Sequence, residues 1–264
     1  ICYIQYMRNS KWQYLLASVV SSILAMGCKE QSVIIVPCLL LFDWMLFKRN
    51  MRSLKVYIEK VYYLIPAIAI FIVTLVANKD TGEEIIGYTI VDRFIFLCYS
   101  VFKYLLISAI PFKLSYLYPF PFQVGEKIPM ALWIYPFVIL FIGYVIYLNR
   151  RKPLLVFCTL FFILHLLPVL HVIPLPRYVV AADRYLYIPY IAFAIGLSIL
   201  SYHLYERQRK WILYAGFLYC SYLCIYTADY APAWKNSDTL KEHFKEVLKK
   251  RETNLSINFK HEKQ

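Results

Sequence analysis

The chain has 264 residues, 61% of them hydrophobic and 17% charged, and its mean hydropathy is +0.54. That is too apolar for a water-soluble domain of this length, so the fold expected is an all-α, polytopic transmembrane helix bundle. Lys and Arg number 29 against 16 Asp and Glu, a net charge of +13, but the excess sits in short clusters between apolar runs, the pattern of membrane-surface charge, and no nucleic-acid partner is expected.

Ile1 to Met7 reads as the last turns of a helix whose beginning is absent, so the sequence is expected to be an N-terminally truncated fragment; no cleavable signal pattern is visible. A bilayer core needs about 20 apolar residues per helix. The runs that approach this are Trp12 to Cys28, Val33 to Phe47, Val61 to Ala77, Phe94 to Ile110, Ala131 to Leu148, Leu154 to Ile173, Ile188 to Tyr205 and Trp211 to Tyr226. Basic short loops stay cytoplasmic. These are Arg8 to Lys11, Lys48 to Lys60 (five Lys or Arg against one Glu), Arg150-Arg151-Lys152 and Arg207 to Lys210. The Lys29-Glu30 turn, Asn78 to Arg93, Pro111 to Met130, Pro174 to Asp183 and the C-terminal tail then share the opposite side. With Asn78 to Arg93 and Pro111 to Met130 both outside, Phe94 to Ile110 cannot cross, and it is expected as a re-entrant or interfacial helix.

Polarity changes at Asp229, which divides the chain into a bundle over 1–228 and a soluble helical tail over 229–264. Within the tail, Leu240, Phe244, Val247 and Leu248 recur at helical spacing, and Ser237 with Asp238 is placed to cap that helix. The seven Cys are scattered without metal-ligand spacing, and Cys220 and Cys224, one turn apart, are read as packing residues. His165 and His171 are separated by about 600° of helical rotation, so they do not share a face; no metal is expected. Asp43, near a cytoplasmic helix end, reads as a snorkelling or structural carboxylate.

Two charged motifs fall on the outer rim. A charge at bilayer depth costs roughly 2.5 to 3.5 kcal/mol, so such residues are rare and usually functional. In Ala181-Ala182-Asp183-Arg184-Tyr185-Leu186-Tyr187-Ile188-Pro189, the Pro-rich stretch His171 to Pro176 just before it favours a looped rim over a helix centre. Arg184 suits a two-pronged grip on phosphate, Asp183 suits orienting it or accepting a sugar hydroxyl, and Tyr185 and Tyr187 suit an aromatic belt or a sugar-stacking platform. An ion pair pinning a loop is the structural alternative. In Gly27-Cys28-Lys29-Glu30, Lys29 can serve as a point charge for phosphate, or pair with Glu30 at the interface. The outer loop Pro111-Phe112-Lys113-Leu114-Ser115-Tyr116-Leu117-Tyr118-Pro119 suits a lipid-linked sugar, a peptide or plain interface packing.

Taken in order, Gly27-Cys28-Lys29-Glu30, Val36-Pro37-Cys38-Leu39-Leu40-Leu41-Phe42-Asp43-Trp44, Pro111-Phe112-Lys113-Leu114-Ser115, Leu167-Pro168-Val169-Leu170 and Ala182-Asp183-Arg184-Tyr185-Leu186-Tyr187-Ile188-Pro189 resemble the membrane half of the transmembrane and tetratricopeptide-repeat O-mannosyltransferases and their bacterial relatives. Trp234-Lys235-Asn236-Ser237-Asp238-Thr239-Leu240 resembles the segment leading into that family's repeats. The resemblance implies a GT-C type glycosyltransferase that moves a sugar from a polyprenyl-phosphate donor to a hydroxyl of a protein or glycan acceptor on the non-cytoplasmic side, with no cofactor. It implies that Lys29 and Arg184 hold the phosphate and that Glu30 and Asp183 orient them or touch the sugar. It also implies a carboxylate base on the first outer loop, which would precede Ile1. Lys29 and Arg184 should then converge on one outward cavity, closer than about two helix diameters of roughly 10 Å each.

Two other functions fit the composition: a transporter or flippase of a lipid-linked substrate, and a non-catalytic membrane anchor for a repeat domain. A transporter calls for two related halves with midplane charges, whereas the charges here cluster at rims. Membrane lipid is the expected surrounding partner, and the abundance of Lys, Ile, Tyr and Phe with short loops favours a bacterial inner membrane, with the endoplasmic reticulum membrane as the eukaryotic counterpart.

Overall fold

A computed structural model of the chain describes residues 1–77, 87–112, 114–170, 179–206 and 211–245, apart from the side chains of Glu30 and Leu75. The regular elements among these residues are helical, and two loops add an isolated antiparallel bridge between Tyr118 and Ala181. In chain order the helices are α1 (Cys2–Asn9), α2 (Trp12–Cys28), α3 (Ile35–Met45), α4 (Leu54–Ala77), α5 (Ile90–Ala109), α6 (Ile134–Leu148), α7 (Pro153–Leu166), α8 (Pro189–Glu206) and α9 (Trp211–Tyr230). Short 3-10 turns at Glu30–Ile34, Met130–Trp133 and Leu167–Val169 extend α3, α6 and α7, and one at Ala231–Trp234 carries α9 past the polarity change at Asp229.

Where helix ends depart from the sequence reading, a local interaction accounts for it. α5 begins at Ile90 rather than Phe94 because Thr89 and Asp92 form a reciprocal capping box: the Asp92 N–H donates to Thr89 Oγ1 at 3.2 Å and the Thr89 N–H to Asp92 Oδ2 at 2.8 Å. The tail helix, described over 237–245, is capped by Asn236 and not by Ser237 or Asp238. Asn236 Oδ1 accepts from the N–H groups of Asp238 (3.1 Å) and Thr239 (2.8 Å), the two positions an N-cap side chain reaches. α4 begins at Leu54, so Lys55, Glu59 and Lys60 belong to a helix and not to a basic loop. The parts of the sequence expectations that fall on residues 78–86, 113, 171–178, 207–210 and 246–264, Val247 and Leu248 among them, lie outside the described residues.

Among the described residues, three helical stretches are long and apolar enough to cross a membrane: Leu54–Thr74, Met130–Leu148 and Trp211–Trp234. Trp12–Cys28, Gln31–Met45 and Pro153–Val169 are shorter apolar helices. α6 and α9 bury none of their side chains, and Phe137, Leu140, Phe217 and Leu218 are each about two-thirds exposed or more. A contiguous apolar surface of that extent is unfavourable in water and neutral in lipid.

The larger core gathers around α5. Ile95, Phe96 and Tyr104 are fully enclosed there by Phe162 and Leu166 of α7, Val180 and Leu186. Phe94 to Ile110, expected as re-entrant or interfacial, falls on this unbroken helix of 20 residues up to Ala109, with Ile110 as its extended C-cap. Its polar contacts go to the loops at one end of the bundle and to α9. Ser100 donates to the Val180 carbonyl (3.1 Å) and the Ala109 carbonyl accepts from Tyr219 (2.8 Å), while Tyr88, just ahead of the helix, donates to the Phe122 carbonyl (3.0 Å). A second, smaller core joins Tyr3 of α1, Leu39 of α3 and Tyr63 of α4.

Candidate functional site

The site is built on a short stretch of extended backbone. Tyr118 and Ala181 pair through two hydrogen bonds of 2.9 Å, Tyr118 N–H to Ala181 O and Val180 N–H to Tyr118 O. The Ala182 N–H donates to the Tyr104 hydroxyl of α5 at 3.2 Å. Val180, Ala181 and Ala182 are all but inaccessible, and the two alanines are small enough to let this strand lie flat against α5. The 3-10 turn Asp183–Leu186 starts as the segment emerges. Adjacent residues of such a turn point in different directions, so Asp183 and Arg184 take different partners and do not form the pinning ion pair that the sequence allowed.

Asp183 faces inward. Its Oδ1 accepts from the Tyr118 hydroxyl at 2.8 Å, and its Oδ2 has the Tyr230 hydroxyl at the edge of hydrogen-bond range, 3.5 Å. Burial pushes its pKa up to about 6, opposed by the Tyr118 hydrogen bond and by the nearby Lys103. The carboxyl is therefore mostly ionised at neutral pH, within reach of protonation in mild acid. Tyr118 is pushed in the same direction by burial and by Asp183, which keeps its phenol protonated and donating. Lys103 completes the group, its Nζ lying 4.7 Å from the centre of the Tyr118 ring.

Arg184 faces outward. Its guanidinium carbon sits 4.8 Å from the Tyr116 ring centre and 5.1 Å from that of Tyr185. Lys29, at the end of α2, approaches from the other motif, with Nζ 5.6 Å from the same Tyr185 ring. The two cations thus cannot be farther apart than the sum of their distances to one ring, well inside two helix diameters of about 10 Å each. Neither has a carboxylate partner among the described residues. Two like charges held over one ring without a counter-ion favour an incoming anion. Tyr187 is not part of this arrangement, being 84% exposed, and the Glu30 side chain lies outside the described residues.

Sequence reasoning missed Lys103, the roles of Tyr116 and Tyr118, and the end of α9. Tyr222, Tyr226, Tyr230 and Trp234 recur every four residues, and their rings follow one another at 5.9, 6.3 and 6.4 Å. Trp234 also meets Tyr116 edge-on at 5.7 Å, which ties this ladder to the ring under Arg184. The fourfold spacing was readable in the sequence, but it is equally the signature of an aromatic belt.

A second charged cluster occupies the other end of the bundle. Asp43 is fully buried, accepting from Tyr3 (2.5 Å) and pairing with Lys60 (2.6 Å) and Arg49 (3.3 Å). Arg49 also grips Glu59 through both of its terminal nitrogens, at 2.6 and 3.1 Å. Asp43 is therefore structural and does not snorkel, because α1 and α4 close over it. Two acids balance two bases, leaving no charge free for a ligand. His165 stacks on Phe161 with ring centres 4.1 Å apart and holds the Phe161 carbonyl, and no group of His, Cys, Asp and Glu suited to a metal occurs among the described residues. His171 lies outside them.

No protein-family model, curated protein or solved structure matches the chain, so the functional reading rests on this site.

Proposed function

We propose that the protein is a multi-pass membrane glycosyltransferase of the GT-C type, which transfers a sugar from a polyprenyl-phosphate donor to a hydroxyl acceptor on the non-cytoplasmic face. The observation that supports it is the meeting of Lys29 and Arg184 over Tyr185, on the rim that also gathers Asp183 and the Pro111 to Pro119 loop. In this reading the acceptor oxygen bonds to the anomeric carbon while the bond from that carbon to the phosphate oxygen breaks. The departing electron pair stays on the lipid phosphate, where Lys29 and Arg184 stabilise it. The acceptor proton passes to a carboxylate base, a role that the family resemblance gives to its first outer loop. Asp183, already held by Tyr118, fixes the turn that carries Arg184.

The test is sugar transfer by the full-length protein from radiolabelled polyprenyl-phosphate mannose, compared with Lys29→Ala and Arg184→Ala. Each loss of a charge-assisted phosphate contact is expected to lower kcat/KM roughly ten- to hundredfold. Unchanged turnover in both variants removes these residues from the mechanism, and no transfer by the parent protein leaves the anchor reading in its place.

A further inference from the structure

We infer that the pocket at the end of α9 is a pyranose-binding subsite, and that the hydroxyl acceptor is therefore a carbohydrate and not a peptide. The pocket encloses about 400 Å³ between Pro111 and Leu114 on one side and Tyr226, Thr227, Tyr230 and Trp234 on the other. Small-ligand sites combine apolar walls with a few placed polar groups. Here the apolar walls come from Pro111, Leu114, Ala231 and three aromatic side chains, and the lining residues that carry hydroxyls are Tyr226, Thr227 and Tyr230. A pyranose has the matching surface, since its axial C–H bonds form an apolar face that stacks on aromatic rings while its equatorial hydroxyls point to the sides.

The rings are already in place. Trp234 stays 44% exposed, yet Tyr116 and Tyr230 hold it at interplanar angles of 78° and 84°. Stacking on it therefore orders little that was mobile. The Tyr226 hydroxyl also retains hydrogen-bonding capacity. It accepts from the Leu114 N–H at 3.0 Å, which leaves its own proton to donate.

A peptide that adds as a strand is the poorer occupant. Such peptides are held mainly by main-chain hydrogen bonds, and the Leu114 N–H and the Pro111 carbonyl at the pocket wall are already taken by Tyr226 and Tyr222. A hydrocarbon chain has a better place elsewhere. The cavity of about 620 Å³ between α5, α6, α7 and α8 is lined by Val101, Ile142, Phe162, Phe193 and Leu200 and has almost no polar wall. The α9 pocket also adjoins the cationic centre, sharing Tyr230 with Asp183 and reaching Arg184 through Trp234 and Tyr116. The acceptor role rests on the transferase reading above; the binding of a pyranose does not.

The test uses the full-length protein in detergent, with methyl α-mannopyranoside and methyl β-glucopyranoside at millimolar concentration and an unmodified Ser/Thr peptide alongside. Saturation-transfer NMR is expected to mark the ring protons of at least one glycoside, and not the peptide. Trp234→Ala should weaken that binding roughly tenfold, while Lys29→Ala leaves it intact. Should Trp234→Ala fold poorly, Trp234→Phe and Tyr226→Phe keep the packing and should still weaken binding by a smaller factor. No transfer to either glycoside, transfer undiminished in all the pocket variants, or binding of the peptide through Trp234 would each overturn the inference. Because glycoside binding is independent of Lys29, a failure of the donor-phosphate assignment leaves this result readable on its own.

Discussion

Asp183 and Arg184 are neighbours in sequence with different tasks, and the difference predicts a pH dependence. The folded protein raises the Asp183 pKa from 3.8 to about 6, chiefly through burial. The sign follows from linkage: a carboxyl whose pKa is raised on folding contributes stability below its unfolded value, and that contribution is lost as pH rises through about 6. Asp183→Asn keeps an acceptor for Tyr118 without the charge. The variant should match the parent near pH 4 and become the more stable of the two above pH 6, by on the order of 2 kcal/mol after allowance for partial exposure. Thermal unfolding across that range in detergent measures the gap, and a gap that does not change with pH contradicts the assignment. At this scale the sequence was informative about which residues matter and silent about their directions. Arg184 and Lys29 stood out because charge is costly in an apolar chain, but Tyr118 and Tyr230, which hold Asp183, were two tyrosines among 25.

At the scale of elements, the helices were legible because each is a long apolar run, and their ends were less so because ends depend on side chains that reach back. α5 starts early on its Thr89 and Asp92 box, and Asn236 rather than its neighbours caps the tail helix. The start of α4 was misread for a different reason. Lys55, Glu59 and Lys60 look like a solvated basic loop until Asp43 of α3 and Tyr3 of α1 are brought against them, and those partners are 17 and 57 positions from Lys60. The cluster predicts an asymmetry. Lys60→Met strands a fully buried Asp43, and breaking such a pair costs roughly 3 to 5 kcal/mol. Asp43→Leu combined with Lys60→Met removes both charges and should recover most of that loss. A lower unfolding temperature for the single variant, largely restored in the double, is the expected pattern; additive losses would mean that the ions pack independently of one another.

At the scale of the molecule, segments near residues 29, 116, 183 and 234 meet on one rim, although up to two hundred positions separate them. Charge bias in the loops assigned these segments to one side before any contact was known, whereas the pairing of Tyr118 with Ala181 could not be read from pattern. At the other end, Tyr3 and Tyr6 of α1 meet Asp43, Arg49 and Glu59, which lie beside the basic loops assigned to the cytoplasm. Sidedness is therefore a single property shared by the whole chain, and it predicts a labelling pattern. Gln123, in the outer loop after Phe122, and Arg151, in the turn between α6 and α7, are both exposed. In a background with the seven native cysteines replaced, among which Cys28, Cys220 and Cys224 are exposed, Gln123→Cys should react with a membrane-impermeant maleimide in intact cells. Arg151→Cys should react only after the membrane is permeabilised. Reversal of the two would put Lys29 and Arg184 on the cytoplasmic face and would remove the outward-facing transfer along with the topology. Equal labelling of both in intact cells would place the two loops on one side, which α6, the helix between them, can allow only if it does not cross.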